Sequence, residues 1–180
     1  MSSDSLWLLA GAALLVFWML GAYNRLVALR NTIIDAWAQY EEPLRRRSQA
    51  LAALLDGLPS TLAQEAGTLD AVRAAETQLR AAAELLRRRP AAASRAAALS
   101  AAEAALAPPL ARLLALLEQR ALPGAGDAAE ALAALHESAE RMGFARQLFN
   151  DAVRGYNDAV RQFPTRLLSG LFGFGSAGTL

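Results

Sequence analysis

Proton transfer, metal binding and anion capture need particular side chains, and this 180-residue chain offers few: one His, 17 carboxylates and 18 basic residues, every one of them Arg. It has no Cys, which removes disulfides, thiolate nucleophiles and cysteine-ligated metals. The missing Lys removes a P-loop lysine and Schiff-base chemistry. With His136 alone, a multi-histidine metal site cannot be built, nor the pair of Glu-x-x-His motifs of a di-iron bundle. His136-Glu137 lies in a helical pattern and suggests one reaction, phosphoryl transfer with His136 as acceptor. The proline that usually follows such a site is absent, and Leu135 takes the core position, so a solvated surface histidine is the simpler reading. Glu41 and Glu42 are adjacent, and adjacent residues on a helix point in different directions. These residues predict no catalytic, cofactor or metal site, no small-molecule substrate and no enzyme. A net charge of +1 gives no electrostatic case for nucleic acid.

The elements that must carry these residues are helical. Ala and Leu together supply 76 residues, against 13 for Val, Ile and Thr. That bias favours helix over any sizeable sheet. In the first long helix Leu26, Ile33, Tyr40 and Leu54, with Trp37, Leu44, Leu51 and Leu58, form a heptad-like stripe interrupted by Arg30 and Arg47. Pro43 should bend this helix, and Gly57-Leu58-Pro59 should end it. Thr61-Leu62-Ala63-Gln64 has the form of a capping box for a second helix. That helix runs to Arg87-Arg88-Arg89, where cations suit the C-terminal dipole. An Ala-rich third helix should break or kink at Pro108-Pro109. Asp127 to Glu130 is a second capping box and opens the last helix. There Leu135, Met142, Phe149, Tyr156 and Phe163 recur every seven residues, beside Leu132, Ala139, Arg146, Val153 and Val160. Arg146 is the polar exception in that seam.

Residues Leu6 to Ala22 carry no charge over 17 positions, the lower limit for a membrane-spanning helix. Trp7, Trp18 and Tyr23 stand where interfacial aromatics belong. The alternatives are a cleaved signal peptide and a buried core helix. The first lacks a basic start and has Leu20 where cleavage after Ala22 would want a small residue. Arg25 and Arg30 follow the span and no basic residue precedes it. The positive-inside rule therefore predicts a cytoplasmic bundle on a single-pass anchor in the bacterial inner membrane, with the outside as the alternative.

The expected organisation is an anchor at 1–22, a bundle at 23–164 and an apolar Gly-rich tail at 165–180. Tyr23 to Leu58 and Ala128 to Phe163 are 36 residues each, or about 54 Å of helix. An elongated antiparallel up-down-up-down bundle would return the last helix to the membrane surface. Arg166, Leu167, Leu168, Leu171, Phe172 and Phe174 would then form an interfacial foot, or else a loose hydrophobic cap. Asn24 and Asn31 lie seven apart, as do Asn150 and Asn157. These pairs are expected to pin the first and last helices as neighbours, since polar groups fix register where Ala and Leu leave it loose.

The run YNRLVALRNTIIDAWAQYEEPLRRR, Tyr23 to Arg47, and the run ARQLFNDAVRGYNDAVRQFP, Ala145 to Pro164, resemble the opening and closing motifs of the LemA family. The chain departs from the family pattern at Phe149, where Tyr is usual, at Ala52-Ala53, at Pro108-Pro109 and in the GSAGTL ending. The resemblance implies a single-pass bacterial membrane protein with a long helical bundle and a scaffold or adaptor role, the adaptor or regulator of a membrane peptidase being the alternative. It marks Tyr23, Asn24, Leu26, Arg30, Asn31, Trp37, Asn150, Tyr156, Asn157 and Phe163 as structural motif residues. The expected partners are the lipid bilayer and an unidentified protein, with self-association favoured because an Ala-rich bundle can leave a seam exposed.

Overall fold

The computed structural model describes residues 3–57, 65–119, 127–162, 166 and 174–180, with the side chains of 3–6, 127 and 128 left aside. Four helices and no strand occur among them: α1 (Ser3–Asp56), α2 (Ala66–Arg88), α3 (Ala93–Gln119) and α4 (Asp127–Arg161). The capping box expected at Thr61, and Leu58 and Phe163 of the apolar stripes, lie outside the described residues.

Two helical pairs build the bundle. The backbones of α1 and α4 run close together, as do those of α2 and α3, while α1 meets α2 more sparsely. The core follows the heptad stripes. Leu26, Ile33, Tyr40, Leu51 and Leu54 of α1 are fully buried, and so are Phe149 and Val153 of α4. Trp37 packs edge-on against Phe149, with ring centroids 6.3 Å apart, and tilted against Tyr40 at 5.8 Å. The opposing pair contributes Val72, Leu79 and Leu86 from α2 and Leu99, Leu106 and Leu113 from α3. Each buried Leu of this kind removes enough apolar surface from water to contribute about 1.5–3 kcal/mol.

No break occurs at Pro108-Pro109, where a break or kink is expected, and α1 likewise continues through Pro43. Pro43 lies inside α1, and Pro108 and Pro109 lie inside α3. A proline deprives the carbonyl four residues earlier of its hydrogen bond. Here those residues are Gln39, Ala104 and Ala105, and all three are exposed. Water can satisfy their carbonyls, so the helices continue.

The pairs differ in length. At 1.5 Å per residue, the 35 residues of α4 make about 52 Å and the 23 residues of α2 about 35 Å. Register shows where α2 stops. Arg80 lies beside Ser48, its guanidinium 3.5 Å from that carbonyl, and Arg87 pairs with Glu41 at 3.7 Å. Glu41 lies 18 residues beyond Tyr23, about 27 Å along α1. Over most of that distance α1 and α4 run on past the α2–α3 pair. Residues 174–180 fill the gap.

Before this paired region, α1 is bare. Trp7 is 78% exposed and Phe17 74%, with Leu8, Leu9, Leu14, Leu15 and Val16 also exposed. This stretch is long and apolar enough to cross a membrane. Helix α3 passes the same test of length and composition. Its inward face is different in kind, since Ala96, Leu99, Leu106, Leu113 and Leu117 pack into the bundle beside a buried Glu103.

Candidate functional site

Two polar arrangements tie separate elements together inside a mainly apolar interior, which also buries Ser48, Thr68, Glu76 and Ser138. The first is midway along the bundle. Tyr40 of α1 donates its phenolic hydrogen to Glu103 of α3, and Arg146 of α4 donates to the other oxygen of the same carboxylate. Arg146 also reaches the Tyr40 oxygen at 3.3 Å. Three helices are thereby tied at one level. Glu103 is 9% exposed, and a carboxylate removed from water is tolerated only with close charged and hydrogen-bonding partners. Burial, with the Glu103 charge beside it, pushes the Tyr40 phenol well above its ordinary range. The phenol thus remains a donor. Arg146, the odd residue in the seam, is explained by Glu103. No sequence signal marked Glu103, because a single acid in an Ala-rich helix has the pattern of a solvated residue.

The second arrangement lies at the Tyr23 end. Asn157 Nδ2 donates to the Ala177 carbonyl at 2.9 Å, and its Oδ1 accepts from the Ala177 amide at 2.8 Å. Asn150 repeats the pattern one step along the chain, bonding the Leu180 carbonyl at 3.0 Å and the Leu180 amide at 2.8 Å. Tyr156 donates its hydroxyl to the Gly175 carbonyl at 3.1 Å. The spacings agree. Seven residues of helix advance about 10.5 Å, and three residues of extended chain advance about 10 Å. Each asparagine therefore meets one tail residue and pairs with it as a neighbouring strand would. The tail runs antiparallel to α4.

Close packing completes the seat. A Cβ on Gly178 would stand 2.7 Å from Ala93 Cα and 2.9 Å from its carbonyl oxygen, so the first turn of α3 leaves room for glycine alone. Ala177 is buried, and Phe174 and Leu180 pack partly buried against the core. Phe174 meets Tyr23 edge-on, with centroids 5.8 Å apart.

Six of the ten motif residues predicted from sequence lie at this end. Tyr23, Leu26 and Arg30 come from α1, and Asn150, Tyr156 and Asn157 from α4. Burial raises the Tyr156 phenol, and Arg30 acts on it in the opposite sense, which places that guanidinium nearby. Trp37 is buried at the upper edge, and its indole nitrogen has no hydrogen-bond partner among the described residues. Two expectations need correction. The asparagines do not join α1 to α4 directly, because Asn24 and Asn31 are exposed and form no side-chain hydrogen bond among the described residues, while Asn150 and Asn157 spend both ends of their amides on the tail. Phe174, expected in a lipid-facing foot or a loose hydrophobic cap, is half-buried against Tyr23, nearer to the cap, and the chain beyond it turns back along α4. Arg166 is exposed. Leu167, Leu168, Leu171, Phe172 and Phe163 lie outside the described residues.

Most of the remaining charged pairs are local and solvent-facing; Glu76, buried beside Arg80 with its Oε2 lacking a hydrogen-bond partner among the described residues, is an exception. Glu42 accepts from Arg45 and Arg46, and these hydrogen bonds hold its carboxyl below the usual range. Glu84 pairs likewise with Arg87 and Arg88. His136 is exposed, its Nδ1 2.9 Å from the Leu132 carbonyl one turn back. At the Asp56 end an open groove of about 720 Å³ between α1 and α4 is rimmed by charges of both signs, among them Arg46, Asp56, Glu137 and Arg141. Among the described residues no three His, Cys, Asp or Glu side chains gather as a metal site.

An elongated helical bundle, entered by a long apolar helix and closed by a clamped tail, is the class of protein that these features define. The LemA family model matches residues 36–180. The chain belongs to the LemA family. A search of curated proteins finds no match.

Proposed function

We propose that this protein is a membrane-anchored, non-enzymatic helical scaffold that displays an interaction surface at a set height above a bilayer. One observation carries the reading. α1 is a single helix of 54 residues, exposed and apolar around its first turns and fully integrated into the bundle core further on. An apolar cylinder without protein partners belongs in lipid. Because no break separates the two parts, the bundle inherits a fixed direction from its anchor. Arg25 and Arg30 directly after the apolar run favour a cytoplasmic bundle on the bacterial inner membrane. The mixed-charge flanks of α1, α2 and α4 suit a protein partner.

The test is protease accessibility in whole cells and spheroplasts, read by an epitope inserted between α3 and α4. An epitope that pellets with membranes and survives external protease until lysis is the expected result. An epitope cleaved from outside would move the bundle to the envelope space, and a soluble epitope would remove the anchor. Proximity labelling from the bundle identifies the partner. A catch dominated by one membrane peptidase would favour the adaptor or regulator reading, and phosphate on His136 would favour signalling.

A further inference from the structure

The seat on α4 recognises backbone. All four asparagine hydrogen bonds and the Tyr156 bond go to main-chain atoms of the tail. Among the described residues no side chain of 174–180 takes part in a hydrogen bond. What the seat selects is shape: an extended strand with a small residue at 177, none beyond hydrogen at 178, and apolar groups at 174 and 180. Such a site accepts any segment of that pattern, whether or not it is covalently attached.

We propose that this seat also binds the same segment in trans, and that the segment comes from a second copy of this chain. The tail of another copy carries identical atoms, so its fit requires no new complementarity. An empty seat would expose the apolar surface against which Phe174, Ala177 and Leu180 pack, which favours refilling. In a reciprocal exchange each copy loses and regains the same contacts, and the remaining cost is that of bringing two chains together. Membrane attachment lowers that cost. Phe174 lies on Tyr23, just past the apolar run, so two anchored copies hold their seats at the same height and need only lateral approach. This last point rests on the anchoring proposed above; the seat itself does not.

The test uses two differently tagged full-length copies, co-expressed and extracted in mild detergent. Capture of one should bring down the other. A synthetic peptide of residues 174–180 should reduce that co-capture by about tenfold or more at saturating concentration. The same peptide carrying Gly178→Val should have no effect, since its extra methyl groups meet Ala93. The paired variant Asn150→Leu/Asn157→Leu in both copies should abolish co-capture, with circular dichroism reporting whether the helices persist. The peptide experiment needs no altered protein, so it decides even if that variant unfolds. Absence of co-capture, or co-capture indifferent to the peptide, would overturn the proposal. Because the measurement is made in detergent, a failed anchoring experiment would leave its outcome untouched.

Discussion

At the Asp56 end, α1 and α4 are backed by α2 and α3, and the four helices share a continuous apolar core. At the Tyr23 end the same two helices are backed by seven residues of extended chain. The ties differ accordingly. Midway, Tyr40, Glu103 and Arg146 join three helices through a buried charge, whose removal strands a partner. Near Tyr23, neutral amides join side chain to backbone, and the bound element can leave without unravelling a helix. An ion in the core resists any local opening. A clamp on an extended tail permits one. Local stability should therefore fall along the molecule from the helical core to the tail.

The largest effect should come from breaking the buried charge unevenly. Arg146→Met leaves the Glu103 carboxylate with the Tyr40 hydroxyl as its sole remaining partner in the cluster. A loss of about 3 kcal/mol in chemical unfolding is expected, at the lower end for breaking a buried pair because Arg146 is itself only half-buried. Adding Glu103→Leu should recover most of it. If the double variant is no more stable than the single one, the stranded charge is not the cause.

Next in size is the tail. Asn157→Leu deletes both bonds to Ala177, and a loss of about 1–2 kcal/mol is expected, confined to one end. Hydrogen exchange should quicken at Ala177 and Leu180 while amides of α2 and α3 keep their protection. Asn157→Asp should act similarly, since a carboxylate cannot donate to the Ala177 carbonyl. Equal acceleration throughout the bundle would mean that the two ends form one cooperative unit.

Tyr40 supplies a smaller, pH-dependent effect. Its folded-state phenol titrates above the ordinary value of 10.0. The fold therefore holds the proton more tightly than the unfolded chain does. The stabilisation is complete below pH 10 and is lost as pH rises above it. Wild type should lose stability above that pH more steeply than Tyr40→Phe, which has already given up the hydrogen bond to Glu103. Parallel curves for the two proteins would remove the effect. At the bottom of the scale, Glu42→Ala and Glu84→Ala should leave the melting temperature unchanged, because both pairs face solvent.

Much of this was legible in one dimension. The stripes through Leu26, Ile33 and Tyr40 and through Met142, Phe149 and Tyr156 carry the helical period, and they are the core. The motifs from Tyr23 to Arg47 and Ala145 to Pro164 pointed to the family. Arg146 was visible as an exception, though its reason was not. The asparagine spacing shows a helix face but not its partner: a seven-residue interval reads as one face, and nothing in it distinguishes a neighbouring helix from an extended strand with matching rise. Whether Pro108-Pro109 breaks its helix is not legible in one dimension, because the effect depends on whether the orphaned carbonyl faces water, which is a property of packing.

What this sequence determined by itself is therefore local. It set the helices, their apolar faces, the long charge-free run at the start and the absence of cysteine and lysine chemistry, since each depends on residue type and near-neighbour spacing. Tertiary structure decided which groups meet across distance. It brought Glu103 to Arg146, 43 residues away, and Leu180 to Asn150, 30 residues away. It also left the α2–α3 pair short, so that the tail had a gap to fill. Those pairings depend on the relative lengths and register of whole helices, which no window along the chain contains.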